Sequence, residues 1–389
     1  MGKYFEFNGC VKICAGADAL DNLLYELEFL NCKSPMLISD EGLEKAGTLT
    51  EFKRRCKKVK FKTTFTKVPV DSSTTVINQI ARLYANNKCD GIVAVGGGSV
   101  IDTAKGVRLL LSQEAENIIS LSGNEIVKKG KPIPFIIVPT TCGTGSECTS
   151  VAVIRDAKTK TKLEFISSEL LPDCAILDAS LIASLPPKLL ATTAIDALTH
   201  AIEAFTSIQK NPVSDVYALT AVKMIGDNLI DALDGDSVAK SNLLLASNLA
   251  GMAFSNSMVG IVHAIGHALG AVFNIPHGNA MALLLEECLK FNLDVCHVEY
   301  SKLLLHLTNE DTFAYTKPNE RAGLFIEKVG ELVKHVASKT GFALKLNEYG
   351  VKEKDLQKIA DKAINDGAAI TNVKHFTQEN AFQILREIY

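Results

Sequence analysis

Asp196 and His200, in the segment AIDALTHAIEAF, stand four residues apart, so a helix would project both side chains from one face. His263 and His267 in GIVHAIGHALG repeat that spacing, and His277 follows in IPHG. The chain has eight histidines, and four of them fall between residues 200 and 277. A lone histidine on an apolar helix face is ordinarily a satisfied core residue. This grouping instead offers five candidate ligands for one metal ion, and imidazoles with a carboxylate suit Zn2+ or Fe2+.

Two glycine-bearing loops supply a second kind of chemistry. In DGIVAVGGGSVIDTAKGVRLLL a strand ends at Val95, three glycines follow, and a helix opens at Ser99. Backbone without side chains lets a phosphate approach closely, and the unpaired N–H groups of a helix start favour an anion. The second loop, PTTCGTGSE (139–147), also follows a buried strand and brings the hydroxyls of Thr140, Thr141, Thr144 and Ser146. Each loop alone reads equally well as a tight turn, and GGGSVI departs from the common G-x-G-x-x-G fingerprint. Two such loops after two parallel strands would lie at one carboxyl edge, where α/β sheets bind ligands. Asp40, at the end of PMLISD, has two readings. It can accept hydrogen bonds from a ribose 2′-hydroxyl and repel a 2′-phosphate, which selects NAD over NADP, or it can cap the helix that follows. A metal together with a nicotinamide dinucleotide implies hydride exchange with an alcohol or aldehyde.

The elements that must carry these groups divide near Pro186-Pro187. Before it, the apolar runs at 35–39, 91–97, 134–139 and 174–178 alternate with helical periodicity at 17–31, 73–87 and 99–112. Runs apolar on both faces, separated by helices, describe a parallel sheet covered on two sides. After the prolines the chain reads as successive helices. The expected division is thus an α/β dinucleotide-binding domain at 1–185 and an all-helical, metal-binding domain at 186–389. A length of 389 residues supports two domains, and 47% hydrophobic content excludes a disordered chain. The formal charge of −3 leaves no footprint for nucleic acid or an anionic membrane. Residues 241–285 contain no Asp, Glu, Lys or Arg, but asparagines, histidines and Pro276 interrupt them, which fits buried helices beside a polar site. The basic run FKRRCKKVKFK (52–62) reads as a solvated face. The ten cysteines are scattered without a C-x-x-C pair and read as reduced thiols packed as small hydrophobes. With no export signal in MGKYFEFNGC, the expected location is cytoplasmic.

GGGSVIDTAK (96–105), PTTCGTGSE (139–147), AIDALTHAIEAFTS (194–207) and GIVHAIGHALGAVFNIPHGNA (260–280) together resemble the iron-containing, or group III, alcohol dehydrogenase family over practically the full chain. The resemblance implies the fold shared with dehydroquinate synthase, with the active site in the cleft between the two domains. It implies metal ligation by Asp196, His200, His263 and His277, with Fe2+ favoured and Zn2+ as the alternative. His267 matches a histidine near the metal and nicotinamide, suggesting a proton relay. The coenzyme would be held by Asp40, Gly97, Gly98, Ser99, Thr140, Thr141, Thr144, Thr149 and Lys162. VPVDSST (68–74) and TNVKH (371–375) lack Asn-Pro pairs common in members, and TTAID (192–196) lacks the usual Gly-Met. The implied activity is NAD(H)-linked oxidation of a small primary alcohol or diol, or reduction of the aldehyde, by a homodimer or higher homo-oligomer. The alternatives are a zinc polyol oxidoreductase of the glycerol dehydrogenase kind, a lyase or metal-dependent hydrolase, and a non-catalytic binding protein.

Overall fold

The computed structural model describes residues 4–123, 128–156, 158–159 and 161–389, so Met1–Lys3, part of the segment read for an export signal, lie outside it. The chain separates into two compact units, Asn8–Leu185 and Pro186–Tyr389, the second also taking the segment that ends at Phe7. That segment departs from the division expected at 185. The physical reason is aromatic: Phe7 stacks on Tyr217, with ring centroids 5.6 Å apart.

In the first unit, strands β1 (Lys12–Ala15), β2 (Pro35–Ile38), β3 (Thr63–Phe65), β4 (Gly91–Gly96), β5 (Phe135–Pro139) and β8 (Cys174–Leu177) form one sheet in the order β1-β8-β5-β4-β2-β3. Every neighbouring pair is parallel. Strands β6 (Val151–Arg155) and β7 (Lys162–Ile166) make a separate antiparallel pair. The helices are α1 (Leu23–Phe29), α2 (Glu41–Lys45), α3 (Thr48–Arg55), α4 (Thr74–Asn86) and α5 (Gly98–Ser112).

Alternation along the strands explains the two layers. Met36, Ile38, Ile92, Ala94, Phe135 and Ile137 point to a core shared with α4 and α5, whereas Leu37, Val93, Val95, Ile136 and Val138 point to one shared with α1 and α3. Both faces are buried, so the strands carry no polar alternation. The basic run departs in one place from a solvated face. Arg55 bonds through Nη1 to the buried Asp178 at 2.9 Å and through Nη2 to Asp21 at 2.9 Å, fastening α3 to the end of β8.

The second unit is helical throughout: α6 (Pro187–Thr206), α7 (Pro212–Leu233), α8 (Ser237–Phe254), α9 (Ile261–Phe273), α10 (His277–Leu307), α11 (Glu310–Tyr315), α12 (Arg321–Thr340), α13 (Leu356–Ala363) and α14 (Gln378–Glu387). Pro187 occupies the first position of α6, where a missing N–H costs nothing. From Leu190 onward α6 is buried on nearly all sides, packed among α7, α8 and α10. Such a helix can afford polar side chains only where they meet partners. Among the described residues, no helix is long and apolar enough to cross a membrane.

Candidate functional site

Helix α6 presents Asp196 and His200 one turn apart, α9 presents His263, and Pro276 delivers His277 as the first residue of α10. Four ligand atoms, one from each residue, lie within 4.8 Å of one another. Asp196 Oδ1 is 3.3 Å from His277 Nε2, 3.7 Å from His263 Nε2 and 3.9 Å from His200 Nε2. Donors bound at about 2.1 Å around a tetrahedral ion stand about 3.4 Å apart, so these separations fit one ion. Asp196 Oδ1 and His263 Nε2 are fully buried and make no hydrogen bond. Buried polar atoms without partners are costly, and two aimed at a common point fit a cation there. Burial opposes charge on Asp196, yet the surrounding imidazoles hold its carboxyl well below the usual range. Burial also opposes charge on His263, but Glu203 and Asp196 outweigh it and raise the imidazole to about 9.

His267 lies beside this group without joining it. Its ring is 5.5 Å from that of His277, and its Nδ1 faces Asp366 Oδ2 at 2.9 Å. Asp366 caps the short helical turn Gly367–Thr371. Desolvation holds His267 below the ordinary imidazole value, with Asp366 pulling the other way.

In the first unit, the two glycine loops follow the adjacent parallel strands β4 and β5, and Thr140 N bonds Gly96 O at 3.1 Å, carrying the ladder into both loops. A Cβ on Gly97 would fall 3.1 Å from Thr141 Cγ2, and one on Gly98 would fall 2.9 Å from Thr144 Cγ2. The glycines thus admit the threonines of the other loop as well as leaving α5's N-terminus bare. Gly145 sits at φ 57°, a backbone conformation that favours glycine.

Of the other expected coenzyme residues, Ser99 donates to Val70 O. Asp40 follows β2, beside β4, and its Oδ1 accepts from Leu43 N at 2.9 Å as the cap of α2. Thr149 is buried and accepts from Lys105 Nζ at 2.8 Å. Lys162 begins β7, in the separate two-stranded pair, with its side chain exposed. Gly97, Gly98, Ser99, Thr140, Thr141 and Thr144 therefore share the β4–β5 edge, Thr149 adjoins the second loop through Ser146 and Lys105, and Lys162 stands on the separate β6–β7 pair.

The family model described as "Iron-containing alcohol dehydrogenase" matches residues 10–179, and that described as "Fe-containing alcohol dehydrogenase family, C-terminal" matches residues 190–389. The chain belongs to the iron-containing alcohol dehydrogenase family. It is 33% identical over 382 residues to 1,3-propanediol dehydrogenase of Citrobacter freundii, covering 96% of each chain. It is 40% identical over 292 residues to probable alcohol dehydrogenase EutG of Salmonella typhimurium, covering 75% of this chain and 70% of that one. A solved 1,3-propanediol oxidoreductase superposes with a TM-score of 0.92 at 30% identity, over 100% of both chains. As a member of this family the chain is an alcohol oxidoreductase, and its group of Asp196, His200, His263 and His277 is consistent with one divalent metal.

Residue types and spacing missed several groups that support these sites in the family member. Glu203 is buried, with Oε2 2.5 Å from His263 Nδ1 and Oε1 accepting from Val262 N at 2.7 Å. It stands seven residues after Asp196 and three after His200, so helical periodicity alone places it on their face. Lys105 is wholly buried, and its Nζ donates to Ser146 Oγ, Thr149 Oγ1 and the carbonyls of Thr149 and Val151. Ser146 Oγ in turn donates to Asp102 Oδ1 at 2.7 Å, and Asp102 Oδ2 accepts from Val153 N at 3.0 Å. The first loop's helix thus grips the second loop through Asp102, Ser146 and Lys105.

Proposed function

We propose that Asp196, His200, His263 and His277 hold a single Fe2+, with Zn2+ as the competing ion, and that the chain interconverts short primary alcohols or diols and their aldehydes. The observation that carries this reading is the buried Asp196 Oδ1, unbonded, with three imidazole nitrogens arranged 3.3–3.9 Å around it. A divalent cation held by three neutral imidazoles and one carboxylate would keep a net charge near +1 and would supply Lewis acidity toward an alcohol or carbonyl oxygen.

The protein's own residues do the rest. Glu203 fixes the tautomer of His263 so that Nε2 is free for the ion. His267, steadied by Asp366, takes the hydroxyl proton as an alcohol is oxidised and returns it as an aldehyde is reduced. Gly97, Gly98, Ser99, Thr140, Thr141 and Thr144 cradle the coenzyme pyrophosphate at the N-terminus of α5. Asp40 accepts from the adenosine ribose and disfavours a 2′-phosphate. Thr149 acts from behind the second loop, and Lys162 reaches the coenzyme from β7. The ten cysteines, all without disulfides, suit a reducing, cytoplasmic setting, and the working form is a homodimer or larger homo-oligomer.

The test is elemental analysis of purified protein together with NADH oxidation over linear, branched and diol-derived aldehydes. Asp196→Ala should lose bound iron and turnover together while retaining NADH binding by fluorescence. Iron kept at full occupancy in that variant would overturn the ligand assignment.

A further inference from the structure

The thiols of Cys14 and Cys174 lie 3.8 Å apart although 160 residues separate them in the chain. Cys14 is on β1, Cys174 opens the neighbouring β8, and the ladder pairs Lys12 with Cys174, so both thiols emerge on one face of the sheet. Glu26 of α1 reaches the same point, with Oε1 3.7 Å from Cys14 Sγ. All three ligand atoms fall within 4.8 Å of one another.

Cysteines in a sheet core ordinarily pack as small hydrophobes, whereas these two share a point with Glu26, whose two oxygens also take the Lys12 ammonium at 2.7 and 2.9 Å. Here Glu26 is only 3% exposed and Cys174 only 1% exposed. Burial pushes both thiols above the ordinary value, so a role as activated nucleophiles does not fit.

We propose that Cys14, Cys174 and Glu26 form a second divalent-cation site, distinct in chemistry from the histidine cluster and suited to Zn2+. Two sulfurs bound at about 2.3 Å around a tetrahedral zinc stand about 3.8 Å apart, and a sulfur and a carboxylate oxygen about 3.6 Å apart. The observed separations of 3.8 and 3.7 Å match both. Thiolate ligands select zinc over hard cations. A cavity of about 570 Å³, lined in part by Lys12, Glu26 and Cys174, adjoins the cluster. Charge also balances. Two thiolates, one carboxylate and Zn2+ leave a net −1, and the Lys12 ammonium, 2.7 Å from Glu26 Oε1, supplies the compensating charge. Binding releases the two thiol protons to solvent and involves no redox change. The ion would tie the edge strand β1 to β8 and to α1, so its effect is on the stability of this corner and leaves turnover unaltered.

The test uses the full-length, iron-loaded enzyme titrated with Co2+ and, separately, with Zn2+. The expected result is one further equivalent of Co2+ with a thiolate-to-cobalt charge-transfer band, displaced by Zn2+ and lost in Cys14→Ser and Cys174→Ser. The band should persist in Asp196→Ala, whose removed ligand belongs to the sulfur-free site. Absence of the band in the wild-type enzyme, or its survival in both serine variants, would overturn the proposal. Because Cys174 is deeply buried, a second arm uses the unmodified protein. Zn2+ should slow alkylation of Cys14 by iodoacetamide at least several-fold, and an unchanged rate would also overturn it.

Discussion

His263 Nδ1 and Glu203 Oε2 stand 2.5 Å apart in a setting where both side chains are buried. That pairing orients the imidazole so that its other nitrogen faces Asp196. A carboxylate behind a ligating histidine fixes its ring and raises its basicity, and losing such a partner typically weakens metal affinity by about 10–100-fold. Glu203→Gln should therefore release iron to a chelator more readily by that factor, with NADH fluorescence titration unchanged. Equal iron retention by variant and parent would show that the pairing serves packing alone.

Lys105 supports the glycine loops from inside. Removing its Nζ takes away the donor shared by Ser146 Oγ, Thr149 Oγ1 and the carbonyls of Thr149 and Val151, and each buried acceptor left unsatisfied costs about 1–3 kcal/mol. Lys105→Met should thus unfold at lower denaturant and bind NADH more weakly, because Ser146 and Thr149 lose their common donor. Burial lowers this lysine from 10.5 to about 8. Between those values the unfolded chain holds more protons than the folded one, so the stability this residue contributes rises with pH across that window. The difference in unfolding free energy between parent and Lys105→Met should widen from about pH 7 to about pH 10. A constant difference would contradict the assignment of that pKa.

Asp40 caps α2 through Oδ1 and stands at the strand end where a ribose is expected. Glycine at an N-cap costs only a few tenths of a kcal/mol relative to aspartate, about enough to leave folding intact. Asp40→Gly should accordingly raise kcat/KM with NADPH relative to NADH without a matching fall in thermal midpoint. An unaltered coenzyme ratio would confine Asp40 to its capping role.

His267 and Asp366 form a second histidine–carboxylate pair, beside the ligand group but outside it. General acid–base groups contribute about 10²–10⁴-fold to rate. His267→Ala should lower turnover by about that range while iron content stays near the parent's. Loss of iron in proportion to turnover would instead make His267 a ligand.

Much of this was legible in the chain. The i, i+4 pair on α6 projected Asp196 and His200 together as helical geometry requires, while of the α9 pair only His263 joins them, and the apolar strand runs at 35–39, 91–97, 134–139 and 174–178 reported a sheet buried on both faces. What escaped depended on contacts that cross long sequence distances. Asp366 meets His267 from 99 residues away, and Cys14 meets Cys174 from 160, and no local pattern encodes either meeting. Lys105 looks like an ordinary helix surface residue in DTAKG until its turn of α5 is seen to face β6. The short edge strands β1 and β3 carry too few apolar residues to register as strands. Glu203 was the avoidable omission, since its spacing from Asp196 and His200 put it on their face of the helix.

The most direct measurement is anomalous diffraction at the iron edge from crystals of the iron-loaded enzyme. The account predicts one strong peak within about 2.0–2.3 Å of Asp196 and of the Nε2 atoms of His200, His263 and His277. Iron located at any other group of residues, with those four side chains left unliganded, would contradict it.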